Sequence, residues 1–324
     1  MGSQLDRIRA LHVHDAASVG RNLVDVAAEL GQPWTMTDIP WYFKRAWSGP
    51  TGHLVKRTRG AVWDATLAMQ SLREDVVHVH TGGLAPHARW LRTPWILHLH
   101  GTDVRTRQYE EDWTPKLRYG TEHADRVLYS TPDLREHVEN LTDRAVYLPV
   151  TVRLDRAPRW RPVTGRVIFA SRWDPVKGAE AQIEVAARLK RERPDLELLG
   201  LDWGSETEEA RNVGVTLVPK MSHDDYREWL ATASVVIGQM TDVLSVSELE
   251  ALATGVPVVS SANPEYYPLL QLLGAAGPAA VAASVFSVID DVRGAASVQD
   301  GPGFIGRVHD AKVGVATLLD LYSA

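Results

Sequence analysis

Short apolar runs alternate along this chain with longer stretches in which apolar positions recur at helical spacing. The runs predict strands near residues 8–14, 33–38, 76–80, 95–100, 126–130 and 144–149, and again near 166–170, 196–200, 214–218, 234–238 and 256–260. Val167, Ile168, Phe169 and Ala170 show no polar alternation, the mark of a strand covered on both faces, as in a parallel sheet. Between the strands, Leu23, Val26, Ala27 and Leu30 share one helical face, as do Ile183, Ala186, Ala187 and Leu189. Strands and helices in alternation with short connections imply a doubly wound parallel sheet. The segment LPVTVRLDRAPRWRPVTG breaks that rhythm with its prolines and reads, at about 150–164, as a linker between two such units. The expected division is 1–155, 156–303 and a closing amphipathic helix within 304–324, carried by FIGRVHDAKVGVATLLDLY. GAAGPAAVAASVFSVIDDV is rich in alanine yet reads as a helix after a turn.

A length of 324 residues suits two domains of ordinary size, each able to bury a substantial core. The absence of cysteine excludes a disulfide framework and a thiolate zinc site, and agrees with a reducing compartment. No apolar stretch approaches the ~18–20 residues of a membrane span, and the opening MGSQLDRIRA lacks the apolar core of a secretory signal, so a soluble cytoplasmic protein is expected. A net charge of −6 argues against a generally basic nucleic-acid binder. One local exception, within residues 40–63, gathers Trp41, Tyr42, Phe43 and Trp47 with Lys44, Arg45, Lys56, Arg57 and Arg59. Such a segment can grip a bulky acceptor, or lie against anionic headgroups or bases. The plain alternative is that its aromatics are core and its cations solvated.

Candidate chemistry concentrates at strand ends. VVIGQMTDVLSVSELEALATGVPVVSS reads as strand, polar loop, short helix and strand, with Asp242, Glu248 and Glu250 beside the helix start. Ser247 with Glu250 fits a capping box, Ser245 with Glu248 offers the same pattern, and Gly255 before Pro257 stops the helix. The carboxylates are therefore either ligand-facing or simply caps. Upstream, GRVIFASRWDPVKG places Arg172 and Lys177 in a strand-to-helix loop, with Gly178 opening the helix. Two cations thus accompany the carboxylates, and strand ends in such folds hold ligands. In the first half, LHVHD, VHVHT and LHLHG end three strands in His-x-His, so His14, His80 and His100 are expected at neighbouring carboxyl ends. Three such histidines could converge on a metal, but histidines are tolerated in a core when hydrogen-bonded, and that reading is preferred to a metal site.

Together these motifs resemble the retaining family 4 glycosyltransferases of the GT-B fold (glycosyl transferases group 1). Members carry an Arg and a Lys-Gly in the first loop, and an acid, seven residues, then Glu near the second segment. The resemblance is strong over about 165–261. It implies two Rossmann-like domains facing a cleft, with the C-terminal helix crossing back onto the first. It implies that Arg172 and Lys177 neutralise the diphosphate of a nucleotide-sugar donor, that Glu250 holds the ribose hydroxyls, and that Asp242 takes the first-acid position, where Glu is usual. Val243, Leu244 and Ser245 replace the usual glycine-rich tripeptide, leaving Ser245, Val246 and Ser247 at the helix start beside the diphosphate. HGTD at 100–103 resembles the family's His-Gly-x-Asp, with His100 near the donor sugar and Asp103 ordering the loop or capping a helix. Gly20 corresponds to a glycine beside the phosphates and acceptor, or is a loop-to-helix hinge. No metal and no resident cofactor are implied. A nucleotide-sugar epimerase and a non-catalytic binding module are the competing readings; a dinucleotide oxidoreductase is disfavoured because no G-x-G-x-x-G follows a strand.

Overall fold

The computed structural model describes residues 7–39 and 49–323. The chain divides into two compact units, Met1–Thr151 with Ala311–Ala324, and Val152–Asp310. In the first, β1 (Ala10–Val13), β2 (Trp34–Thr37), β3 (Val76–His80), β4 (Trp95–Leu99), β5 (Arg126–Tyr129) and β6 (Ala145–Tyr147) form a sheet in the order β2-β1-β3-β4-β5-β6. Every pairing is parallel. All residues of β3 and β4 are buried, which is why their sequences run nearly unbroken in apolar side chains and histidine.

The second unit holds β7 (Arg166–Phe169), β8 (Glu197–Leu201), β9 (Thr216–Val218), β10 (Val235–Ile237) and β11 (Val258–Val259), again all parallel, in the order β11-β10-β7-β8-β9. Its core packs Val167, Phe169, Val235, Ile237 and Val259 of the strands against Val185, Ala186 and Leu189 of the helix Ala179–Glu192. That helix is turned slightly from the expected face: Gln182 and Val185 are buried, whereas Ile183 and Ala187 are only half-buried. Gln182 fits this interior because its amide donates to the Lys177 carbonyl at 2.8 Å.

The closing segment differs from the single helix expected. Gly301–Phe304 and the π turn Ile305–His309 end at Asp310, which is extended, and a separate helix runs over Ala311–Ser323. The physical reason is a backbone competitor: Val152 N–H donates to the His309 carbonyl at 2.8 Å, and Val152 bridges Asp310 in parallel, drawing that residue out of helical geometry. The helix Ala311–Ser323 packs on Val19–Glu29 in the first unit. Gly314 permits the approach, since a Cβ there would stand 2.6 Å from Thr151 and 3.0 Å from Leu23 side-chain atoms. No helix among the described residues is long and apolar enough to cross a membrane.

Candidate functional site

Within the second unit the chain lays β8 and β9 to one side of β7, then returns to place β10 and β11 on the other. Adjacent β7 and β10 thus mark where strand order reverses, and ligands of such sheets bind beyond the carboxyl ends there. Arg172 and Lys177 lie in the loop after β7, and Asp242 in the loop after β10. The two loops are locked together: Met240 N–H donates to the Lys177 carbonyl at 3.1 Å. Gly178, at φ 68°, sits where a Cβ would come within 2.5 Å of the Met240 carbonyl oxygen, so both conformation and space call for glycine.

Neighbours hold both cations. Lys177 Nζ donates to Gln239 Oε1 at 2.6 Å, and the Gln239 amide donates in turn to the Val243 carbonyl at 2.6 Å. Arg172 Nε lies 2.7 Å from Asp174 Oδ2, and its guanidinium carbon is 5.5 Å from the centre of the Trp203 ring. Lys220 Nζ lies 4.1 Å from the same ring, which is 43% exposed and so presents an aromatic face among cations at the end of β8. Gln239 and Trp203 escaped the sequence reading, for neither belongs to a motif there.

The helix after β10 spans Val246–Thr254 with Ser245 at its N-cap, so the expected box of Ser247 with Glu250 is corrected to Ser245 with Glu248. The Ser245 N–H and hydroxyl both donate to Glu248 Oε2, each at 2.8 Å. The Ser245 amide is thereby used internally, and Val246 and Ser247 form the first helical positions. Moving the cap two residues back releases Glu250 from a capping role. Glu250 is buried and hydrogen-bonds His223 Nε2, an interaction that raises the imidazole above its ordinary value. The same helix His223–Leu230 carries Tyr226, whose hydroxyl donates to the Ala170 carbonyl at 2.7 Å, bringing Glu250's surroundings to the end of β7. Asp242 is exposed.

In the first unit, His100 follows β4 and its Nε2 lies 3.1 Å from His80 Nδ1. His14 leaves the strand with φ 70°, and its Nδ1 lies 4.0 Å from Asp38 Oδ1. Asp103 orders a neighbouring loop and does not cap its own helix: Thr81 Oγ1 donates to Oδ1 at 2.9 Å and the Gly82 N–H to Oδ2 at 3.1 Å. Burial raises its carboxyl above the ordinary range. Gly20 is buried in the first turn of Val19–Glu29, where a Cβ would stand 2.8 Å from Met36 Cε and 3.2 Å from His80 Nε2; close packing requires its small size. Of the basic aromatic segment, Trp41, Tyr42, Phe43, Lys44, Arg45 and Trp47 lie outside the described residues. Lys56 and Arg57 are exposed on the helix Gly49–Ser71, and Trp63 is core.

Residues 164–291 match the model of the family Glycosyl transferases group 1. The matched stretch lies within the second unit and takes in Arg172, Lys177, Asp242 and Glu250. No curated protein matches the chain. Among solved structures it is similar to sucrose-phosphate synthase from Thermosynechococcus elongatus, at 16% identity and a TM-score of 0.72 over 98% of each chain. HepE of Anabaena, solved with UDP and glucose, is similar at 12% identity and a TM-score of 0.74, over 98% of this chain and 100% of that one. A putative UDP-N-acetylglucosamine 2-epimerase from Listeria monocytogenes shares the fold at 15% identity and a TM-score of 0.60, over 97% and 95% of the two chains. The fold is GT-B, as the sequence motifs implied.

One carboxylate of the second unit, that of the capping-box residue Glu248, has a measurable signature. Glu248 is fully buried, and burial raises its carboxyl to about 7 from an ordinary 4.5. Between those values the folded chain keeps a proton that the unfolded chain has released, so stability falls as pH rises through that window. At ~1.36 kcal/mol per unit the loss amounts to roughly 3 kcal/mol. Glu248→Gln is expected to flatten this slope, as read from urea midpoints at about pH 5 and about pH 8. An unaltered slope would assign the pH dependence elsewhere.

Proposed function

We propose that this protein transfers a sugar from a nucleoside-diphosphate sugar to an acceptor hydroxyl, retaining the configuration at the anomeric carbon. The observation that carries the reading is that adjacent strands β7 and β10, where the order of the second sheet reverses, are followed by the loop bearing Arg172 and Lys177 and by the helix Val246–Thr254 bearing the buried carboxylate of Glu250. Departure of the nucleoside diphosphate concentrates negative charge on its phosphates. Two fixed cations, aided by the Val246 and Ser247 amides at a helix start, oppose that charge, so no divalent ion is required at the diphosphate. Glu250 accepts hydrogen bonds from the ribose hydroxyls, with His223 orienting it. Asp242 faces the donor sugar. With retention, the departing phosphate itself takes the acceptor proton on the same face of the sugar, and no side chain need be the general base. The acceptor is assigned to the first unit and its segment 40–63. The UDP bound to HepE supports a nucleotide donor, and UDP is the first candidate.

The test is a thermal-shift comparison of UDP, GDP and ADP followed by assay of the matching nucleotide sugars. A nucleotide at 100 times its dissociation constant should add about 2.7 kcal/mol of stability. Acceptor-dependent nucleotide release supports transfer, inversion at C2 of the sugar would instead reveal an epimerase, and stabilisation without turnover a binding module. Failure of every nucleotide to stabilise the chain overturns the proposal.

A further inference from the structure

The sheet of the first unit carries five histidines on one face: His12, His78, His80, His98 and His100. Strand pairing sets His12 opposite His78 and His80 opposite His98, so the parallel register stacks them as a layer. The first four are completely buried. Their contacts form a single file. His100 Nε2 meets His80 Nδ1 at 3.1 Å, His80 Nε2 meets His12 Nδ1 at 3.0 Å, and His12 Nε2 lies 3.4 Å from the Tyr322 hydroxyl. Tyr322 reaches His78 Nδ1 at 2.5 Å, and His78 Nε2 meets His98 Nδ1 at 3.2 Å. The file stops at His98 Nε2, which is buried without a hydrogen-bond partner among the described residues. A neutral imidazole owns one N–H and one lone pair. Whichever way the protons run along the file, one polar atom is left over in a dry interior, at a cost of ~1–3 kcal/mol.

We propose that His80, His98 and His100 bind a divalent first-row transition metal ion of the zinc or cobalt class. Ligand nitrogens of these three lie within 4.8 Å of one another. The 3.1 Å between His80 and His100 is close to the roughly 3.3 Å that two imidazoles bound at ~2.0–2.1 Å subtend in a tetrahedral site. The metal takes His98 Nε2 as a ligand and so removes the orphan. It also fits the remaining contacts, because a histidine bound to metal through one nitrogen donates its other N–H to an outer partner. His80 then donates to His12, and His98 to His78. Both branches then donate to the oxygen of Tyr322 on the helix Ala311–Ser323, so the leftover group passes from a fully buried nitrogen to the hydroxyl proton of a half-buried residue at the edge of the layer. His100 is the least buried of the three and leaves a fourth position for water or a ligand. Such a site joins β3, β4 and, through Tyr322, the helix Ala311–Ser323.

The test is titration of the tag-free full-length chain with cobalt(II), followed by zinc(II) competition against a chromophoric chelator. Saturation at one ion per chain, with the intense visible absorption of tetrahedral cobalt, is expected. His98→Gln should abolish that absorption, whereas His123→Gln, on an exposed helix position, should leave it intact. If His98→Gln fails to fold, the wild-type titration decides alone. No saturable cobalt spectrum in the wild-type chain, or an undiminished one in a folded His98→Gln chain, overturns the site and leaves the layer as a hydrogen-bonded core.

Discussion

Arg172→Ala should lower sugar transfer by about 10²–10³ in turnover, the range seen when one preorganised donor to a developing anion is removed. The guanidinium sits in the loop after β7, beside Asp174 and over Trp203, and Lys177 shares the task from the same loop. Lys177→Ala should produce a loss of the same order. Stability should change little in the Arg172 variant, because its side chain is 35% exposed and a pair of that kind contributes only ~0–1 kcal/mol. Arg172→Lys should recover part of the rate but not all, since an ammonium cannot present the planar fork that matches two phosphate oxygens. The measurement is nucleotide release from the donor sugar found by thermal shift, with folding checked by circular dichroism. Release at the wild-type rate in a folded Arg172→Ala chain would remove this residue from the mechanism.

The second large effect is on folding. Trp173→Ala should cost about 3–5 kcal/mol, the range for deleting a buried aromatic side chain. Trp173 is completely buried and follows Arg172 directly, so its packing positions the cationic loop. Its indole N–H donates to the Leu201 carbonyl at 3.0 Å, and its backbone exchanges hydrogen bonds with the β8 loop, Trp173 N–H to Trp203 O at 2.8 Å and Glu206 N–H to Trp173 O at 2.9 Å. Two glycines make room for it. A Cβ on Gly200 would stand 2.7 Å from the indole, and one on Gly204, at φ 128°, 2.3 Å from the Trp173 carbonyl oxygen. Urea unfolding should show the loss as a lowered midpoint. A shift equivalent to less than ~1 kcal/mol would mean the loop does not depend on this anchor.

The eleven expected strand positions all appear, in two parallel sheets, because strands covered on both faces must be apolar throughout and leave an unmistakable trace. Gly178 and Gly255 also read correctly, since each sits at positive φ where a helix begins or ends. The misreadings share one cause. Ser245-x-x-Glu248 and Ser247-x-x-Glu250 are equally good capping patterns locally, and the choice fell to burial: Glu248 is enclosed beneath Gly238, while Glu250 has a partner 27 positions upstream in His223. Likewise Asp310 sits inside a helical pattern, and only the distant backbone of Val152 pulls it straight.

By itself the sequence determined the alternation of strands and helices, the two parallel sheets, and the loops that carry Arg172, Lys177, Asp242 and Glu250, because these follow from local periodicity and short spacings. Tertiary structure alone decided which carboxylate caps and which is held by His223, why Gly20, Gly200 and Gly204 lack side chains, and that histidines from three strands meet Tyr322 in one buried layer. Those outcomes depend on pairing register and on contacts between residues far apart in the chain, where a single sequence carries no record of what lies opposite.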